Sequence, residues 1–199
     1  VILFKHPILG QQRRAAAFLV FGSSLMVFSN RMKARLAFRM ENRMNQNLSI
    51  LVNELQNRAK IYVHVYRELS NAVGREKAAE IMKRAIYARG KEKGELLAAR
   101  LGKPDLHKMA QAFMEGKADM DAFGHEIVRE QSDLILLRLN RCPLAEAWKD
   151  AGLSSEEQKA LCDIAYQVDF GKFEAAGYKL EFACRIADSG NSCDMKVTL

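Results

Sequence analysis

Residues 125–143, HEIVREQSDLILLRLNRCP, decide the fold. His125–Gln131 and Leu134–Arg141 are short runs rich in aliphatic residues, and Ser132-Asp133 between them is a turn signal, so the stretch predicts two paired strands. Pro143 presets the backbone angle of a first helical turn and predicts a short helix over 143–151, closed by Gly152. Ser154 and Glu157 then form a capping-box pattern that opens a helix to about Asp169. Beyond it Tyr178, Leu180, Phe182 and Cys184 alternate with Lys179, Glu181 and Ala183. Cys193, Met195, Val197 and Leu199 repeat the alternation after a Ser189-Gly190-Asn191 turn signal.

Upstream the period changes from two to that of a helix. Leu48, Leu51, Leu55, Ala59, Tyr62, Tyr66, Leu69 and Val73 recur at helical spacing over 46–73, and Gly74 is a stop. A second helix runs from about Arg75 to Arg89 with Ala78, Ile81, Met82, Ala85 and Ile86 on one face. Gly90 and Gly94 weaken its continuation, which Glu95–Leu101 can resume. Pro104 starts a third, short helix to about residue 115. The fold class is therefore α+β: N-terminal helices packed on a roughly four-stranded antiparallel sheet with two inserted helices. The expected organisation is a basic, apolar helical extension over 1–45 and a domain over 46–199.

The net charge is +7, and all of it falls in residues 1–50, where eight basic residues face only Glu41. A sequence pI near 9.3 invites a nucleic-acid reading. The charge asymmetry argues against one, because no zinc-finger spacing or aromatic RNA-binding motif accompanies it. Residues 15–28, AAAFLVFGSSLMVF, form an apolar run flanked by Arg13, Arg14 and Arg31. The run is shorter than the roughly 20 residues of a spanning helix, and no A-x-A-like cleavage site follows it. It reads as a hydrophobic helix packed on the domain or on a second subunit, which makes a homodimer one partner to test. The alternatives are a membrane-surface helix, giving peripheral membrane contact through residues 13–43, and a targeting segment. Cys142, Cys162, Cys184 and Cys193 include no CxxC pair and are too sparse for a disulfide scaffold, so they read as thiols of a reducing, cytoplasmic compartment.

Chemistry concentrates around these thiols. Cys142 precedes Pro143 at a helix start, where free N–H groups and the helix dipole favour an anion and can acidify a thiol. If the strand persists, Arg138, Asn140 and Cys142 share one face, where they could grip a carboxylate and attack the carbon beside it. Cys162, Tyr166 and Asp169 line one face of the next helix, and Asp169 suits general-base work better than thiolate activation. Cys184 and Cys193 sit on strands that can face each other. Zinc sites usually show local ligand pairs, absent here, so no metal and no cofactor is expected. His125 is a minor candidate base; His6, His64 and His107 have no recognisable partners. The bland alternative makes Cys142 and Cys162 ordinary core residues and Asp169 a helix-end charge.

Three stretches carry a family resemblance. The first is Gly74-Arg75-Glu76-Lys77-Ala78, followed by Ala85-Ile86-Tyr87-Ala88-Arg89-Gly90. The second is Arg141-Cys142-Pro143-Leu144-Ala145-Glu146-Ala147-Trp148, then Gly152-Leu153-Ser154 and Leu161-Cys162-Asp163. The third is Gly190-Asn191-Ser192-Cys193-Asp194-Met195-Lys196. Together they resemble the L-2-amino-thiazoline-4-carboxylic acid hydrolase family over roughly residues 55–199. The resemblance implies water added at an amidine-like carbon, opening a thiazoline ring to an N-carbamoyl cysteine. It carries over to Cys142, Cys162, Asp169 and Cys193; Cys184 is an extra thiol outside the pattern.

The combined expectation is a hydrolase of a non-peptide C–N bond in a small cyclic amidine-type carboxylate. Cys142 serves as nucleophile or polarises the carbon, Asp169 activates water, and Arg138, Asn140 and Tyr166 bind substrate. The rival is a non-catalytic small-ligand-binding module docked to a membrane surface or partner through its N-terminal helix.

Overall fold

The computed structural model describes residues 12–188 and 190–199, with side chains from residue 32 onward. The chain divides into two units, Val1–Gln46 and Asn47–Leu199. The apolar run 15–28 lies within helix α1 (Gln12–Val73), but its side chains fall outside the described residues, as do His6 and Ser189. Gly74, at φ 84°, ends α1 and starts α2 (Arg75–Leu101). Then follow α3 (Leu106–Phe113), capped by Asp105, and α4 (Lys117–Phe123). Strands β1 (His125–Glu130) and β2 (Ile135–Leu139) are next, then α5 (Pro143–Asp150), α6 (Ser155–Ala165) and α7 (Gln167–Ala175). Strands β3 (Lys179–Cys184) and β4 (Cys193–Thr198) end the chain.

The strands form one antiparallel sheet in the order β1-β2-β4-β3, and the class is α+β as the sequence predicts. Both edge strands carry a register shift, β1 between Ile127 and Arg129 and β3 between Phe182 and Cys184. The strand alternation sorts correctly: Ile135, Leu137, Met195 and Val197 are buried against Leu97, Met109, Phe113 and Phe173 from the helices. A second core gathers Leu55, Ala59 and Val63 of α1 with Leu144, Trp148, Leu161 and Ile164. There the indole Nε1 of Trp148 donates to the carbonyl of Ala59 at 2.9 Å, so this buried polar group is satisfied.

Two expectations change. The helix opened by the Ser154 capping box does not run on to Asp169; it ends at Tyr166, and α7 begins there. Nor do Gly90 and Gly94 interrupt α2, which is continuous to Leu101. Both glycines are buried and face α7 at backbone distance. A Cβ on Gly90 would lie 2.9 Å from the carbonyl carbon of Val168, and one on Gly94 would lie 2.7 Å from the Cβ of Ala175. Gly171 answers from α7, where a Cβ would stand 2.9 Å from the amide nitrogen of Lys91. The weak helix propensity of glycine is accepted because no other residue lets the two backbones meet.

Substituting Gly90 or Gly94 by alanine therefore pushes rigid backbone against rigid backbone. The expected loss is about 1–3 kcal/mol or more for either change, read by urea unfolding. An unchanged midpoint would mean that the crossing tolerates separation.

Candidate active site

The chain leaves the sheet just before Cys142. The amide N–H of Asn140 donates to the carbonyl of Gly124 at 3.1 Å, and that of Arg141 donates to Phe123 at 3.0 Å. These bonds turn the backbone off β2, which ends at Leu139. Arg138 and Asn140 still meet at Glu126, as the shared face predicts, whereas Cys142 lies beyond the strand. Cys142 instead becomes the N-cap of α5 and packs against the Trp148 core.

Arg138 and Asn140 already have partners. Arg138 forks onto Asp194 directly across the sheet, with Nε and Nη2 at 2.8 and 2.7 Å from the two carboxylate oxygens. Ser192 Oγ donates to the same carboxylate at 2.8 Å. The guanidinium holds Asp194 below the usual carboxylate range. Asn140 Nδ2 donates to the Gly124 carbonyl and to Glu126. Tyr166 sits in an aromatic cluster with Phe170 and Phe182, with the Arg185 guanidinium 4.9 Å from its ring centre. Arg185 in turn pairs with Asp163 on α6 at 2.6 Å, tying the β3–β4 connection to that helix. His125 stacks on Phe113 and donates its ring Nδ1–H to that residue's carbonyl at 2.8 Å, which reads as positioning.

Cys142, Cys162, Cys193 and Asp169 stand at the start of α5, on α6, on β4 and in the first turn of α7, within reach of one another's charge. Each is close enough to feel the charge of others in the set. Cys162 responds to Cys193 and Cys142, and Cys193 responds to Cys142 and Asp169. Cys184 stands at the margin, affecting Cys193. Among the described residues no group of three or more His, Cys, Asp or Glu side chains is placed to hold a metal ion.

Burial sets the electrostatics of this cluster. Desolvation pushes Cys162 up to about 12 and Cys193 to about 11, in each case ahead of the neighbouring charges. At Cys142 the N–H groups of Leu144 and Ala145 pull the thiol down, yet burial outweighs them and its pKa is raised. No capping hydrogen bond to this sulfur forms. Burial therefore opposes the acidified thiol expected at a helix start. Asp169 is also raised by desolvation, against the opposing charges of Lys172, Lys93, Arg58 and His125. Of these, Lys172, Lys93 and Arg58 were not singled out from the sequence. Lys172, three residues after Asp169 on one helix, was the legible one; Arg58 and Lys93 arrive through tertiary packing.

The surface cavities of the Asn47–Leu199 unit include two that lie elsewhere. One is lined by Tyr66, Arg67, Ser70 and Glu157, the other by Pro104, His107, Glu130 and Leu199. Neither includes a thiol of the cluster or Asp169.

The family model described as L-2-amino-thiazoline-4-carboxylic acid hydrolase matches residues 54–197. No curated protein matches the chain. Among solved structures, the chain is similar to a trafficking protein particle complex subunit 3 from Naegleria fowleri covalently bound to palmitic acid. That similarity is 12% in identity, with a TM-score of 0.43, over 73% of this chain and 95% of that one.

The raised thiols set a labelling order. Because burial keeps them protonated, Cys162 and Cys193 should alkylate far more slowly in the folded protein at pH 8 than in urea. Their rates should climb only as pH approaches 11–12, read residue by residue by mass spectrometry. Fast labelling of either at pH 7 would contradict the burial argument.

Proposed function

The chain belongs to the L-2-amino-thiazoline-4-carboxylic acid hydrolase family, and from that premise we propose that it hydrolyses a small cyclic amidine-type carboxylate by ring opening. The observation that carries this reading is the gathering of Asp169 with Cys142, Cys162 and Cys193, all within the matched segment.

In this reading Asp169 is the general base. Its raised pKa brings its basicity closer to neutral pH, where base catalysis is most effective. Asp169 takes one proton from water as the oxygen bonds to the amidine carbon. The C=N electron pair moves to the ring nitrogen, which receives that proton. Collapse of the adduct forms the carbonyl, breaks the ring C–S bond and transfers the hydroxyl proton to sulfur. An N-carbamoyl product keeps both bonds from its carbon to nitrogen. Atom balance thus moves the ring-opening cleavage from the C–N bond expected earlier to C–S. Cys142 then serves as a neutral group polarising the carbon, helped by the free N–H groups at the start of α5, because its raised pKa disfavours a standing thiolate. Cys162 and Cys193, both half-buried, line the wall beside it.

Turnover of 2-amino-thiazoline-4-carboxylate by the full chain, followed as released thiol, is the test. Asp169→Asn should lower kcat by at least about 100-fold. The sign of the pH dependence follows from Asp169. The base works only when deprotonated and its pKa is raised, so kcat/KM should fall with acid along a limb above the ordinary carboxylate range. Unchanged turnover in Asp169→Asn removes this assignment.

One observation favours the ligand-binding module docked to a membrane. Met32, Leu36, Phe38 and Met40 are exposed on α1 beside Lys33, Arg35, Arg39 and Arg43. Exposed apolar residues amid cations suit an anionic bilayer surface. No described helix is long and apolar enough to cross a membrane. Vesicles containing phosphatidylserine should then sediment the full chain at low salt. Charge reversal at Arg35, Arg39 and Arg43 should release it, whereas equal binding to neutral vesicles would refute the electrostatic part.

A further inference from the structure

Three cations lie within reach of the Asp169 charge, and none pairs with it. Arg58 comes from α1, Lys93 from α2 and Lys172 from α7, and all three act on its carboxyl through charge. Among the described residues none of the three forms an ion pair, with Asp169 or with any other acid. The Nε of Arg58 is buried and has no hydrogen-bond partner. A guanidinium N–H taken out of water and left unpaired is costly, and an arriving acceptor would remove that cost.

The fold holds these groups in place. The α2–α7 crossing sets Gly94, next to Lys93, against the carbonyl of Lys172, and sets Gly90 against Val168, next to Asp169. Arg58 precedes Ala59, whose carbonyl is pinned by Trp148. Lys93 is exposed, while Arg58, Lys172 and Asp169 are half-buried. Desolvation, followed by the like charges of Arg58, Lys172 and Arg89, draws the Lys93 ammonium pKa down against the raising effect of Asp169, and an anion would relieve the charge part.

We propose that Arg58, Lys93 and Lys172 form the subsite that binds the carboxylate of the substrate and holds its ring against Asp169. This rests on the hydrolase reading above for what the anion is. It replaces Arg138 in the gripping role, since that guanidinium is already forked onto Asp194.

The test is calorimetric titration of the full chain with thiazolidine-4-carboxylate and with its uncharged carboxamide. The carboxylate should bind, and the carboxamide should bind about tenfold more weakly or not at all. Arg58→Gln and Lys93→Gln should each weaken carboxylate binding by about tenfold, with Arg58→Lys recovering part of the loss. Arg84→Gln, which removes an exposed cation elsewhere on α2, should change nothing. Lys93 is exposed, so its variant keeps the test valid if the Arg58 variant unfolds. Equal affinity for the two probes, no binding of either, or carboxylate binding that ignores both substitutions overturns the subsite. Turnover of 2-amino-thiazoline-4-carboxylate with KM unmoved in both variants overturns the subsite and leaves the hydrolase reading standing. Carboxylate binding that depends on Arg58 and Lys93, without turnover, upholds the anion site and removes the hydrolase reading.

Discussion

The backbone contact between α2 and α7 is the constraint on which the site depends. Gly90, Gly94 and Gly171 let two helices meet without side chains between them. Because α7 lies that close, Asp169 in its first turn is held half-buried, and Lys172 on its next turn lies within reach of the Lys93 charge on the opposite helix. Any Cβ at the crossing would move α7, and with it the carboxyl, away from the thiols supplied by α5, α6 and β4. The glycines thus set a distance between charges as much as they set a packing angle.

With that geometry fixed, desolvation outweighs the local charges throughout the cluster. It raises the three thiols and the carboxyl alike, although Lys93, Lys172 and Arg58 oppose it at Asp169. The result is a half-buried group of neutral thiols beside one carboxyl shifted towards neutrality, with cations near it but unpaired. Such a site favours moving protons over storing a thiolate.

Much of the fold was legible because its signals are local. The capping box at Ser154, Pro143 at a first turn, and the alternation of Leu180, Phe182, Met195 and Val197 each act within a few residues. The family was legible from the Cys142-Pro143 and Leu161-Cys162 segments, and the match over 54–197 bears it out. Elsewhere, tertiary contacts overrode local preference. Glycine's poor helix propensity argued for a break in α2, but the partner helix rewards the missing Cβ. Strand periodicity extended the face of Arg138 and Asn140 to Cys142, but the bonds to Phe123 and Gly124 end the strand at Leu139. The helix-start argument for an acidic Cys142 weighed the dipole correctly and had no means of weighing burial. Arg58 lies more than a hundred residues from Asp169 along the chain, so no sequence window contains both.

The sheet's two register shifts have a further consequence. They fall on β1 and β3, the two outer strands, which also expose Glu126, Arg129, Lys179 and Glu181. A kinked, charged border offers a poor template for another chain's backbone, so runaway strand addition is discouraged at both flanks. A four-stranded sheet of this kind can stay finite without a barrel to close it. Self-association through the rims of this sheet is therefore disfavoured.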